Sequence, residues 1–454
     1  MARQPAGRLT MTTMLLYNGM VVCLGQADKL FDRGYVLVEN DRIAAIGSMA
    51  DLPANRHYDA RVNCAGKLVL PGLVNAHTHT PMTLFRGLAE GVSLFTLDGW
   101  YNSIRTLELV MTPDMVPAAV EVACAEMIRT GTTTFADQYF FMDEIVPVVA
   151  RSGMRAALAY GVVELGDPAA RARELARVDA FLEDMGQQTD RLQGWVGPHA
   201  FFVDNTPESM QAERLLASKY NTGLHIHLST DGEEDAFCRQ HFGISAVSKM
   251  RDMGMFERPV LAAHSITIPP EDWPALAASP FSAVTCPSAC MRAGADAAPV
   301  VGMRAAGINV ALGTDNVCNN NDYDLFIQMR LMALLASFRE KRPGALQARE
   351  ALDIATAGGA KALGLADEIG DLSPGKKADL IVMDRGGIGW TPLPSNDPFT
   401  ALVYSINGLQ VTDTMVDGQW LLRDRQWTTL DYADAVRRQS EDVRRLLERR
   451  DAPV

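Results

Sequence analysis

The stretch Leu68-Val69-Leu70-Pro71-Gly72-Leu73-Val74-Asn75-Ala76-His77-Thr78-His79 is an apolar run that ends in a histidine pair. Two imidazoles at i and i+2 on a strand point to the same face. Just past the strand's end, both can reach one metal ion. A single His-x-His is a weak signal, but this one opens a series. Most of the later histidines also stand at the ends of short apolar runs.

Reading outward, eight strand candidates follow in turn: residues 68–74, 132–137, 155–160, 192–197, 223–227, 259–264, 281–286 and 308–313. Helical patterns separate them, such as residues 113–131 and 207–220. Repeated strand–helix alternation predicts an α/β fold, a (β/α)₈ TIM barrel. Such barrels carry their sites at the C-terminal ends of the strands. His79, Asp137, Tyr160, His199, His227, His264, Cys286 and Asp315 all lie at or just past such ends. His57 and His241 fall outside the pattern, in a polar loop and a helix-like segment.

Strand-and-turn blocks flank the barrel on both sides. Residues 14–24, 35–47 and 67–70 precede it, and residues 377–384 and 413–427 follow it. One small β-sandwich built from both chain ends is expected. The divisions are 13–70 for its first part, 71–370 for the barrel, 371–427 for its second part and 428–454 for a charged, amphipathic C-terminal helix suited to a surface or interface. Residues 1 to 12 read as a loose leader.

The chain has 454 residues, 48% hydrophobic and 21% charged, with a net charge of −13. This is the composition of a globular enzyme. No basic cluster marks a nucleic-acid footprint. No apolar run approaches the ~18 residues of a membrane span. The seven cysteines are scattered and odd in number, and Cys286-x-x-x-Cys290 has no second pair to make a zinc knuckle. A reduced, cytoplasmic setting is expected.

The metal candidates are His77, His79, His227 and Asp315. Three imidazoles and a carboxylate suit one divalent ion, zinc first, with Mn²⁺, Co²⁺ or Fe²⁺ as alternatives, and leave a position for water. The ion would lower the water's pKa, and Asp315 could take its proton. A binuclear site would need a bridging acid, often a modified lysine, on the fourth strand. Residues 192–199 contain no Lys, so one ion is expected.

The chain resembles the amidohydrolase superfamily, in the branch of S-adenosylhomocysteine/methylthioadenosine deaminases and triazine hydrolases. The similarity runs almost end to end, through PGLVNAHTHTPMTLFRGLAE, EMIRTGTTTFADQYFFMDE, LHIHL, AAHSI, CPSACM, NVALGTDN and GDLSPGKKADLIVMD. It implies a distorted barrel with its terminal sandwich and metal ligands at His77, His79, His227 and Asp315. It also implies that His264 orients the water and polarises the group attacked, and that His199 contacts substrate.

The departures fall at the substrate end. The deaminases carry a Glu three residues after the fifth-strand histidine, which protonates a ring nitrogen. Here that position is Thr230. The third strand ends in Tyr160-Gly161, Cys290 replaces an Asn, and Asn316-Val317-Cys318-Asn319 replaces Gly-Ala-Ala-Ser. Loss of the ring-protonating Glu suggests hydrolysis of a carbamoyl-type C–N bond in a urea, carbamate, thiocarbamate or anilide, releasing an amine. The phenylurea and thiocarbamate (molinate) hydrolases resemble this description. The alternative is deamination of a heterocycle with Asp231 or Glu233 as acid. A third reading, a non-catalytic binding protein, fits poorly with a complete ligand set. Met82, Phe85, Trp100, Phe201, Phe202 and Met291 would suit an apolar small-molecule substrate. Tyr160, His199, Thr230, Cys290 and Asn316 are further candidate contacts. A homodimer or larger homo-oligomer is expected.

Overall fold

The computed structural model describes residues 12–25, 29–54, 56–392 and 397–452. The expected leader, Thr12 apart, lies outside them. Strands β1 (Thr13–Val22), β2 (Leu30–Glu39) and β3 (Arg42–Ser48) form an antiparallel meander, while β4 (Ala60–Asn63) and β5 (Lys67–Pro71) both run parallel to β1. Asn40, with φ +57°, supplies the left-handed residue at the β2–β3 turn. Alternation along β2 sends Val36 and Val38 to one face and Tyr35 and Leu37 to the other.

The apolar run that reads as one strand is two. Pro71 ends β5 in the terminal sheet, and β6 (Leu73–Thr78) starts the barrel. Gly72 is the pivot, where the chain passes so close to Thr133 that a Cβ would collide with it. The barrel continues with β7 (Thr132–Tyr139), β8 (Arg155–Val162), β9 (Leu192–Pro198), β10 (Leu224–Leu228), β11 (Val260–His264), β12 (Phe281–Thr285) and β13 (Asn309–Leu312), each parallel to its neighbours. Helices cover the outside. The one over Pro168–Met185 shows the local logic, with Asp167 capping the Ala169 N–H and proline in its first turn.

Strands β13 and β6 are not neighbours in the hydrogen-bonded order, so the barrel is nearly closed rather than closed. Side chains span the seam. Asn75 Oδ1 accepts from the Thr314 N–H (3.0 Å), and Asn75 Nδ2 donates to Thr314 Oγ1 (2.8 Å). The Asp315 N–H donates to the His77 carbonyl (3.0 Å). This seam places Asp315 beside His77.

Strands β14 (Leu380–Asp384), β15 (Val411–Val416), β16 (Gln419–Arg423) and β17 (Gln426–Trp427) return to the terminal sheet. Its order is β17-β16-β15-β14-β5-β1-β2-β3, with β4 beside β1. The β domain expected from both termini is therefore one mixed, hydrogen-bonded sheet, with Leu16, Val36, Val69, Leu380 and Met415 in a shared core. Buried Arg155 ties it to the barrel through Asp379 (2.9 Å) and Asp417 (2.5 Å). The final helix, Tyr432–Asp451, buries Ala435 and Leu446 and pairs Arg438 with Glu121 of the barrel helix Val116–Arg129 (2.6 Å). Among the described residues, no helix is long and apolar enough to cross a membrane.

Candidate metal centre

Three imidazoles converge at the C-terminal mouth of the barrel, and each is locked from behind. His79 Nδ1 donates to the Gln138 carbonyl (2.6 Å) and His227 Nδ1 donates to the His199 carbonyl (2.7 Å). In their neutral forms both rings present an unprotonated Nε2 to the centre, where those two atoms stand 3.2 Å apart. His77 Nδ1 lies 2.8 Å from His225 Nε2. Donation from His77 leaves its Nε2 as a lone pair too. That Nε2 is buried and has no hydrogen-bond partner.

Asp315 completes the group, with Oδ1 3.5 Å from His77 Nε2 and 3.4 Å from His79 Nε2. The triads His77–His79–His227 and His77–His264–Asp315 each bring their ligand atoms within 4.8 Å of one another. The orphaned His77 nitrogen and the fixed tautomers fit a divalent cation that takes nitrogen and carboxylate donors. Burial pushes His77 down to about 4 and His227 well below its ordinary value, so both are neutral at neutral pH, as ligation requires, and it pushes the neighbouring His264 down to about 3. Burial works against the Asp315 charge, but the imidazoles of His77, His79 and His264 gathered around it hold its carboxyl well below the usual range.

The rim of the site is strained and pinned. His264 and Asp315 have φ of +73° and +62°, values that β-strand residues avoid. Asp315 accepts from the Asn316 N–H (2.6 Å), from Asn316 Nδ2 (2.9 Å) and from Asn319 Nδ2 (2.7 Å). Asp137 is a clamp rather than a reacting group. Its carboxylate accepts from Thr78 Oγ1, the Thr80 N–H and Thr80 Oγ1, each at 2.7 Å, and so fixes the loop that carries His79.

A cavity opens over this centre. Of the expected substrate contacts, Met82, Trp100, His199, Thr230 and Asn316 line it, together with His79, His227, His264 and Asp315. Phe95 lies against His264 (ring centroids 4.4 Å apart) and Trp100 against His199 (4.8 Å), so the 94–100 segment roofs the site. His199 is held by Asp204 (2.5 Å).

Other expected contacts lie elsewhere. The Tyr160 hydroxyl donates to Glu174 on the outer helix (3.1 Å), because alternation along β8 turns it away from the barrel axis. Phe85 is fully buried in the core, as is Phe201, and Cys290 directs its Sγ to the Pro287 carbonyl. Phe202 packs near Phe237, and Met291 is half-exposed outside the cavity. All seven cysteines are free and buried, and His57 and His241 are exposed.

The sequence reading gave no role to His225, Gln138, Glu108 or Glu234. His225 had a signal: it precedes His227 by two residues, the same same-face spacing as His77 and His79. The others are fixed by tertiary contact alone.

The sequence pattern of the Amidohydrolase family matches residues 68–421. The chain belongs to the amidohydrolase family. Among its relatives, this amidohydrolase is 33% identical over 442 residues to a 5'-deoxyadenosine deaminase of Methanobrevibacter smithii, covering 97% of this chain and 99% of that one. It is 36% identical over 411 residues to a 5-methylthioadenosine/S-adenosylhomocysteine deaminase of Moorella thermoacetica, covering 89% and 94%. The crystal structure of an adenosine deaminase from Xanthomonas campestris with bound zinc superposes with a TM-score of 0.90 at 28% identity, covering 96% of this chain and 99% of that one.

Proposed function

We propose that this amidohydrolase is a mononuclear zinc aminohydrolase that replaces the exocyclic amino group of an adenine-type heterocycle with oxygen. The observation that carries the reading is the coincidence of a complete three-imidazole, one-carboxylate centre with end-to-end similarity to deaminases of 5'-deoxyadenosine and of methylthioadenosine/S-adenosylhomocysteine. The relatives favour ring deamination over the carbamoyl hydrolysis that Thr230 first suggested.

His77, His79, His227 and Asp315 would hold the ion. When bound, such an ion lowers the pKa of a water toward about 7 and polarises the group under attack. Asp315 is ionised at neutral pH and stands where it can accept the water's proton and deliver it to the departing amine. His264 is neutral, and its Nδ1 is buried without a partner, ready to hydrogen-bond the developing oxygen. Trp100 and Phe95 supply apolar surface for a flat ring and exclude water from it.

Zinc-loaded protein incubated with 5'-deoxyadenosine, 5'-methylthioadenosine and S-adenosylhomocysteine tests the reading. Exchange of NH₂ for OH reads directly in the product's mass. Intact substrates throughout, beside turnover of a phenylurea, would return the carbamoyl reading to first place.

A further inference from the structure

Hydroxide addition to an aromatic C=N carbon drives an electron pair onto the ring nitrogen. That nitrogen must be protonated as the bond forms, or the ring carries a full negative charge in a site shielded from water. Thr230 has no acidic proton to give at neutral pH. The donor must therefore come from another side chain on the cavity wall.

Most candidates there are already committed. Glu108 accepts from the Tyr139 hydroxyl (3.0 Å) and pairs with Arg105 (3.2 Å). Asp204 is bound to His199 and to the Ala200 N–H. Glu233 accepts from the Leu97 N–H across the cavity (3.2 Å), holding the roof segment. Asp231 is exposed to solvent at the rim of the cavity. Asp315 is the base.

Glu234 differs from all of these. It lines the same cavity as His79, His227, His264 and Asp315 and is only 2% exposed. Its Oε1 is fixed by the Ser229 N–H (2.9 Å), and its Oε2 is buried with no partner. A buried carboxyl oxygen without a donor is best accommodated as a hydroxyl, and an O–H without an acceptor is a donor waiting for one. Building on the ring-deamination reading, we propose that Glu234 is the catalytic acid of this enzyme, protonating the substrate's ring nitrogen from a position four residues beyond Thr230. Burial pushes its carboxyl up to about 7, which suits proton transfer in both directions near neutral pH.

The step balances. Asp315 takes one proton of water, and the resulting hydroxide forms the C–O bond. The C=N pair moves to the ring nitrogen and takes the Glu234 proton. Asp315 passes its proton to the amino nitrogen, and the C–N bond breaks with its pair on ammonia. The hydroxyl proton released as C=O forms returns to Glu234.

Glu234→Gln is the test, read on the nucleoside that wild type turns over. The amide oxygen still accepts from Ser229, so Tm and zinc content are expected to match wild type. The kcat for ammonia release should fall on the order of 10²–10⁴-fold, with KM changed by less than about threefold. A kcat within about tenfold of wild type overturns the assignment. So does a larger loss that comes with lowered Tm, lowered zinc content or a KM change beyond that limit, because Glu234 would then be a loop staple or a binding residue. If wild type itself releases no ammonia from any nucleoside, the ring-deamination reading fails and this assignment falls with it. That outcome is visible before any variant is made.

Discussion

Replacing His225 with Leu should weaken zinc binding without touching a ligand. His225 is 1% exposed, His77 is fully buried, and 2.8 Å separates His225 Nε2 from His77 Nδ1. Burial holds the His225 pKa well below its ordinary value, so its ring is neutral and can accept from His77. Leucine is similar in bulk but accepts nothing. The His77 Nδ1–H is then stranded in the interior, or the ring turns and loses its Nε2 aim. Stranding one buried donor costs about 1–3 kcal/mol. At about 1.4 kcal/mol per factor of ten, that is roughly 5- to 150-fold in zinc affinity, in line with the ~10–100-fold typical of groups that support a metal ligand. A competitive titration against a chelator of known affinity measures it. His225→Gln sets the control, since a Gln carbonyl can reach the place of Nε2 and should recover most of the loss. Equal zinc affinity in wild type and the Leu variant would refute the claim that His225 sets the His77 tautomer.

Three further outcomes follow from the same geometry. Asp315→Asn should leave the circular dichroism spectrum intact and lower kcat by at least about 10²-fold, since an amide cannot take a proton from water; wild-type turnover would dismiss Asp315 as the base. Thr230→Glu adds a carboxyl to the cavity wall and should change the ratio of ammonia to amine release, whereas unchanged rates on nucleoside and urea substrates alike would place residue 230 away from the reacting atoms. Glu213, on the helix Pro207–Lys219, is fully buried, and burial raises its carboxyl from the ordinary 4.5 to about 8. Between these values the folded protein holds a proton that the unfolded chain has released, so stability should fall as pH rises through that window. Glu213→Gln removes this term, and its Tm should decline less steeply than wild type from pH ~5 to ~8. Parallel Tm curves would show that Glu213 ionises freely in the fold.

The barrel, and the convergence of His77, His79, His227 and Asp315 at its C-terminal end, were legible because they rest on period and position. The eight apolar runs announce eight strands, and a histidine or aspartate at a strand's end has little choice of destination. The seam contact between Asp315 and His77 follows from closing the sheet. Side-chain direction was harder. Tyr160 stands at a strand's end like His264, yet alternation along β8 turns it outward to Glu174. Phe85 and Cys290 lie in short helical turns rather than strands, and both are lost to packing that no local pattern encodes. The run 68–74 read as one strand because apolar content does not show a change of sheet; only Gly72 marked the pivot. Glu234 was hidden for a different reason. An acidic triplet at the start of the helix Glu233–Phe242 reads as dipole compensation, and only the fold shows that the middle residue turns inward.

The central claim is that zinc held by His77, His79, His227 and Asp315 serves ring deamination. The most direct measurement offers the zinc-loaded protein S-adenosylhomocysteine and a dimethyl-phenylurea in parallel and quantifies ammonia and aniline separately. Ammonia from the nucleoside, lost on chelation and restored by zinc, is the predicted result. Aniline alone, with the nucleoside untouched, would contradict it and make Thr230 the mark of a carbamoyl hydrolase.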